Sequence, residues 1–160
     1  METSTTYSLK HVNCLMAKAK IEGFGDTDAI RVERLEGKWE STEGADGRSS
    51  RAYISSNAGR VTITLAQTSD SNATLSGLLS TDTATLKGQF PMYIHDTLGG
   101  STYSASDCWV EGPPSVVLNK GIESYEWSIY CSDLAMYVAG NKGGFVAGAV
   151  NSISSALGLS

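Results

Sequence analysis

The residues best equipped for chemistry are few and scattered. His11 and His95 are the two histidines, and Asp96 follows His95 directly. Neighbours on a strand point to opposite sides of a sheet, so His95 and Asp96 do not converge on one site. Isolated histidines of this kind are expected to be strand-surface or core side chains rather than catalysts. Asp70 and Asp82 flank a helix signal, and capping accounts for Asp70 better than acid–base work does. Cys14, Cys108 and Cys131 form an odd set with no CxxC spacing and no histidine in ligand register, so no zinc site is expected. Free, mostly buried thiols in a chain folded in a reducing compartment are the simplest account of them. There is no GxSxG elbow, Walker loop, HExxH or GxGxxG. The expectation is a non-enzyme with no catalytic residues, no cofactor and no metal.

The elements around these residues read mainly as strands. In the stretch 28–68, Ile30 and Val32 alternate with Arg31 and Glu33, while Val61, Ile63 and Leu65 alternate with Arg60, Thr62, Thr64 and Ala66. Each run offers one apolar face to a core and one polar face to water. Between them Gly37 to Asn57 forms a long polar arm, with Trp39 near its start and Tyr53 and Ile54 near its end. Loops beyond about 12–15 residues are uncommon unless functional or disordered. The arm's Glu43, Asp46, Arg48 and Arg51 carry both signs of charge, a pattern suited to docking on a complementary surface.

Elsewhere Tyr7 to Met16 is expected as a first strand. Several N-cap candidates from Thr68 to Ser71 precede Leu75, Leu78 and Leu79, whose i, i+3, i+4 spacing makes one apolar helix stripe of roughly three turns at most. Gly77 weakens that helix, which therefore depends on packing. Phe90 to His95, Ser101 to Glu111 and Tyr125 to Cys131 read as strands, with a turn at Gly99-Gly100 and a corner at Pro113-Pro114. Val116 to Leu118 adds a short apolar run.

With 160 residues, 41% of them hydrophobic, the chain can bury one core, so a single domain over 1–139 is expected. The remainder, 140–160, is rich in Gly, Ala and Ser; Phe145, Ala149, Ile153 and Leu157 recur every four residues, which predicts a small helix. A net charge of -5 argues against nucleic-acid binding as the main task. Met1 to Thr6 lacks the basic and apolar regions of a secretory signal, and no run approaches the roughly 20 apolar residues that span a bilayer.

The order of these pieces resembles the tail tube protein family of contractile-tailed phages. The likeness is carried by Tyr7-Ser8, the charged strand after it and the arm with Gly44-Ala45-Asp46-Gly47. It continues in the strand 59–65 with Thr68-Ser69, Asn72-Ala73 and Leu75, and in Tyr125-Glu126-Trp127 with Cys131. It covers about Tyr7 to Tyr137. The resemblance implies a mainly β fold, a β-sandwich or barrel with one short flanking helix and a long hairpin arm. It also implies a structural virion protein of the tail, assembled in the host cytoplasm into hexameric rings that stack into a tube for DNA ejection. On that reading Arg31, Glu33, Arg60, Thr62 and Thr64 are lumen-facing candidates, and Glu43, Asp46, Arg48 and Arg51 are inter-ring or inter-subunit arm residues. Either Arg31 and Arg60 would be paired with Glu33 or Glu40, or the lumen would be only mildly negative. Partners would be the chain itself, tail sheath, tape measure and baseplate or terminator proteins, with DNA passing without specific binding. The alternative is a carbohydrate-binding β-sandwich using Trp109, Trp127 and tyrosines as a stacking platform; Trp127, in register with Ile129 and Cys131, reads as core and weakens it.

Overall fold

A computed structural model of the chain describes residues 6–140. The expected 140–160 helix lies outside the described residues apart from Gly140. Strands β1 (Val12–Met16), β2 (Ala19–Lys20), β3 (Ile30–Arg34), β4 (Trp39–Glu43), β5 (Ser49–Tyr53) and β6 (Gly59–Ala66) precede helix α1 (Ser71–Thr85). Strands β7 (Phe90–Asp96), β8 (Thr102–Val110), β9 (Ser124–Cys131) and β10 (Leu134–Tyr137) follow it. Eight strands form one antiparallel sheet in the order β2-β1-β7-β8-β9-β6-β3, with β10 also paired to β8; β4 and β5 make a separate two-stranded sheet. The chain is therefore mainly β, with one α-helix among the described residues.

Alternation sets the faces. Val61, Ile63 and Leu65 of β6 are buried with Trp127, Ile129 and Cys131 of β9, to which they are register partners or diagonal neighbours. Met92 and Ile94 of β7 and Cys14 and Met16 of β1 extend the same core. On β8 the inward residues are Ala105, then Cys108 and Val110, a phase shift. Its cause is an irregularity: Phe90 pairs with Cys108 but Met92 with Ala105, so β8 carries one extra residue, as a β-bulge does. The two halves of β8 thus serve different neighbours, Thr102–Ala105 with β10 and Cys108–Val110 with β9.

Two expectations change. Over 7–16, a 3-10 turn occupies Leu9–His11 and the strand begins at Val12. The reason is the partner: Val12 pairs with Asp96, the last residue of β7, and beyond it there is no ladder to join. Thr97 instead uses its N–H and its hydroxyl to hold the His11 carbonyl.

The helix is longer than its apolar stripe, at 15 residues. Leu75 is fully buried, with Leu78 and Leu79 packed beside it. The polar last turns are sustained by back-bonds from Thr83 Oγ1 to the Leu79 carbonyl and Thr85 Oγ1 to the Thr81 carbonyl. Leu86 then turns left-handed (φ 58°), and Asp82 Oδ1 accepts from the Gly88 N–H, closing the end. Asp70 occupies the N-cap position but makes no cap bond with its side chain. Ser69 Oγ accepts from the Ser71 N–H instead, while its own hydroxyl donates to the Glu22 carbonyl.

The apolar run Val116 to Leu118 lies in the connection between β8 and β9. After Pro113-Pro114 no sheet edge receives it, and Val116, Val117, Leu118 and Ile122 sit exposed in the β8–β9 connection.

Candidate assembly surfaces

The β3–β6 register places Arg31 opposite Thr62 and Glu33 opposite Arg60 on the outer face, while Val32 meets Val61 and Ile30 meets Ile63. That outer face continues across β9, where Thr62 pairs with Ser128 and Arg60 with Tyr130, and on to β8, where Tyr130 pairs with Trp109. Four of the five lumen candidates, Arg31, Glu33, Arg60 and Thr62, are thus brought onto one polar sheet face. Thr64 shares their parity but is withdrawn, at 7% exposure. Gly25 crosses beside it: the Gly25 N–H donates to the Thr64 carbonyl, and a Cβ on Gly25 would stand 3.2 Å from Thr64 Cγ2.

The two arginines of this face are neutralised, but not by Glu33 or Glu40. Arg31 Nη2 donates to Asp28 Oδ2 at 2.7 Å, and Arg60 Nε donates to Glu111 Oε1 at 2.7 Å. Glu111 also accepts from the Ser128 hydroxyl at 2.9 Å. The Arg60 hydrogen bond, more than the charge itself, holds the Glu111 carboxyl below the usual glutamate range. Glu33 and Glu126 remain exposed on the same face, so its carboxylates outnumber its guanidinium groups. Trp109 and Tyr130 stack beside them with centroids 4.8 Å apart. Sequence reasoning missed Asp28, Glu111 and Ser128; the alternation of Glu126, Ser128 and Tyr130 along β9 was the signal available for the last.

The arm is a hairpin rather than a loop. Five ladder pairs run from Trp39↔Tyr53 to Glu43↔Ser49, and all ten strand residues are exposed. Its tip closes through Gly44 N–H to the Arg48 carbonyl (2.8 Å) and Gly47 N–H to the Gly44 carbonyl (2.9 Å). Gly47 has φ 82°, a left-handed conformation that suits glycine. Asp46 and Arg48 pair with each other at the tip (3.4 Å), and Arg51 lies 4.0 Å over the Trp39 ring. Glu43 has no ion pair among the described residues. Trp39 (49% exposed) and Tyr53 (62%) meet edge-on at 5.3 Å near the root.

That root is tied firmly to the sheet through Asn57. Its Oδ1 accepts from Arg34 Nη1 (3.0 Å) and from Lys38 Nζ, and its carbonyl accepts from the Leu134 N–H (2.9 Å). Arg34 Nη2 also donates to the Leu134 carbonyl (2.7 Å). These bonds join the root of the arm to β3 and to the start of β10.

The remaining candidates fall to structural roles. His95 Nδ1 lies 3.1 Å from Thr102 Oγ1 and its ring stacks on Tyr93. Asp96 Oδ1 accepts from the Leu98 N–H in the turn. Trp127 is buried and donates its indole N–H to Asn72 Oδ1 at 2.9 Å, which separates it from Trp109 and leaves no shared tryptophan platform. The three cysteines are buried and unbridged. Among the described residues, no His, Cys, Asp and Glu cluster is arranged to hold a metal, and no helix is long and apolar enough to cross a membrane.

The fold is shared with subunits of contractile injection systems. The chain superposes on a subunit of the PVC extracellular contractile injection system sheath–tube complex in the extended state (TM-score 0.58, 11% identity, 84% of this chain and 93% of that one). It matches the PVC sheath/tube terminator (TM-score 0.56, 10% identity, 86% and 100%) and the tube-terminating cap of the anti-feeding prophage (TM-score 0.55, 8% identity, 87% and 95%). Within that fold, residues 5–139 match the family model described as the Bacteriophage PhiTE tail tube protein, and the chain belongs to that family. It is also 28% identical over 124 residues to "Structural protein ORF10" of Pseudomonas phage KPP10, covering 76% of this chain and 72% of that relative. The chain is thus a phage tail structural protein.

Proposed function

We propose that the protein is the repeating subunit of a tail tube. Six copies form a ring, rings stack into a hollow conduit, and DNA passes through it during ejection. The observation that carries this reading is the arm: a two-stranded hairpin with every strand residue exposed is marginal in water on its own, and a neighbouring subunit would complete it. Glu43, Arg51 and the Asp46–Arg48 tip are the contacts proposed for that neighbour. The polar β3–β6–β9 face, with Arg31, Glu33, Arg60 and Thr62, is proposed to line the channel. Thr64 takes no part in that lining. A face on which carboxylates exceed paired arginines repels phosphate weakly and lets duplex slide. Sheath, tape measure and baseplate or terminator proteins are the further partners this role requires, and the role is not enzymatic. Assembly would take place in the host cytoplasm.

The test is polymerisation of the purified protein. Electron microscopy and light scattering at high concentration are expected to give rings or hollow tubes. Deleting Glu43 to Ser50 and closing with a short glycine turn is expected to leave the domain folded by circular dichroism, because closure entropy varies slowly with loop length, while abolishing stacking. A parent that stays monomeric under all conditions, or a shortened arm that polymerises like the parent, refutes the reading.

A further inference from the structure

Two of the three cysteines face each other across the β8–β9 ladder. Cys108 and Cys131 are register partners, and their Sγ atoms lie 3.3 Å apart in the core. The flanking backbone bonds define the kind of pair. The Ser132 N–H donates to the Asp107 carbonyl and the Glu111 N–H to the Ser128 carbonyl, so Cys108 and Cys131 occupy a narrow, non-hydrogen-bonded position. Such positions bring Cα atoms to about 4.5 Å, inside the range of roughly 4.4–6.8 Å that a disulfide spans. No backbone movement is needed to join them.

We propose that Cys108 and Cys131 are an oxidation site, which a small two-electron oxidant of the peroxide class converts to a cross-strand disulfide that locks β8 to β9. This goes beyond the tube reading and does not depend on it. The two thiols share one S–H···S contact in the core, so either sulfur can be the one attacked and the other resolves it. That sulfur, as the thiolate, takes one oxygen from hydrogen peroxide, becoming a sulfenic acid and releasing water. The partner sulfur then displaces that oxygen as a second water, and the S–S bond forms; two thiols and one peroxide give one disulfide and two waters. Cys14 serves as an internal reference. It pairs with Ile94 on β1, two strands away from β8, and burial pushes its thiol up to about 12.

The experiment uses the full chain, reduced, freed of reductant and exposed to hydrogen peroxide. The peroxide is quenched, and thiols are alkylated in denaturant. Treated protein is expected to take up one alkyl group instead of three, to lose the mass of two hydrogens, and to recover all three thiols with dithiothreitol. A non-reducing peptide map is expected to show Cys108 joined to Cys131 in the same chain. Closing a loop of this length is expected to raise the melting temperature by about 10 °C. The Cys14→Ala variant should give the same link and the same rise in melting temperature, taking up no alkyl group after treatment and two after reduction. Three alkylated thiols after treatment, oxygen added to cysteine without a link, a link through Cys14 or between chains, or a link that leaves the melting temperature unchanged overturns the proposal.

Discussion

Replacing Asn72 by alanine tests how the helix is fixed to the sheet. Asn72 is the second residue of α1, and its Oδ1 accepts the indole N–H of Trp127 at 2.9 Å. Its Nδ2 donates to the carbonyls of Ala66 (2.9 Å) and Ser69 (3.1 Å), bracing the turn that leads from β6 into the helix. Trp127 is 2% exposed, so truncation strands its N–H away from an acceptor, a cost of about 1–3 kcal/mol. Loss of the two turn bonds adds about 1 kcal/mol, for a total of about 2–4 kcal/mol. In a domain of this size that lowers the melting temperature by on the order of 10 °C. Urea unfolding followed by far-UV circular dichroism and tryptophan fluorescence measures it. A cycle with Trp127→Phe is expected to show coupling of about 1–2 kcal/mol, because the two side chains share one bond. If Asn72→Ala unfolds within about 0.5 kcal/mol of the parent, or the cycle shows no coupling, the tie is not what holds the helix.

Three further outcomes follow from the same geometry. Gly59→Ala should cost about 1–3 kcal/mol in a denaturant titration, since a Cβ there would stand 2.3 Å from Leu134 Cδ2 and 2.9 Å from the Glu33 carbonyl oxygen. Glu33→Lys should leave circular dichroism unchanged because its side chain is exposed, whereas Ile63→Lys should abolish the folded spectrum by placing an unpaired charge in the core; the reverse pattern would invert the strand faces. The hydrogen bond from Arg60 depresses the Glu111 carboxyl, so its contribution is complete above the ordinary glutamate value of about 4.3 and is lost as pH falls through the lower folded value. The Glu111→Gln variant should therefore show a smaller loss of melting temperature between neutral and acid pH than the parent, an effect kept small by solvent screening.

The segments that carry the resemblance acquire a physical meaning in the folded chain. Asn72-Ala73 at the helix start and the Glu126-Trp127 strand are distant in sequence, yet they meet in the single hydrogen bond between Asn72 and Trp127. The Gly44-Ala45-Asp46-Gly47 segment is the tip of the arm, where Gly47 supplies the left-handed turn and Asp46 accepts from the Arg48 N–H.

What the sequence determined by itself was what short-range periodicity encodes. Alternation along Ile30 to Glu33, Arg60 to Leu65 and Tyr125 to Cys131 gave strands with the correct inward faces, and the spacing of Leu75, Leu78 and Leu79 gave the helix and its buried stripe. Tertiary structure decided everything that depends on a distant partner. Val12 rather than Tyr7 begins the first strand because β7 ends opposite it. Arg31 and Arg60 pair with Asp28 and Glu111 because the turn before β3 and the end of β8 bring those carboxylates within reach. Thr64 has the alternation of a surface residue, yet the crossing at Gly25 covers it. Periodicity specifies which side of its own strand a residue faces; what lies on that side is set by how the strands are ordered, and that order is written in no local stretch of the chain.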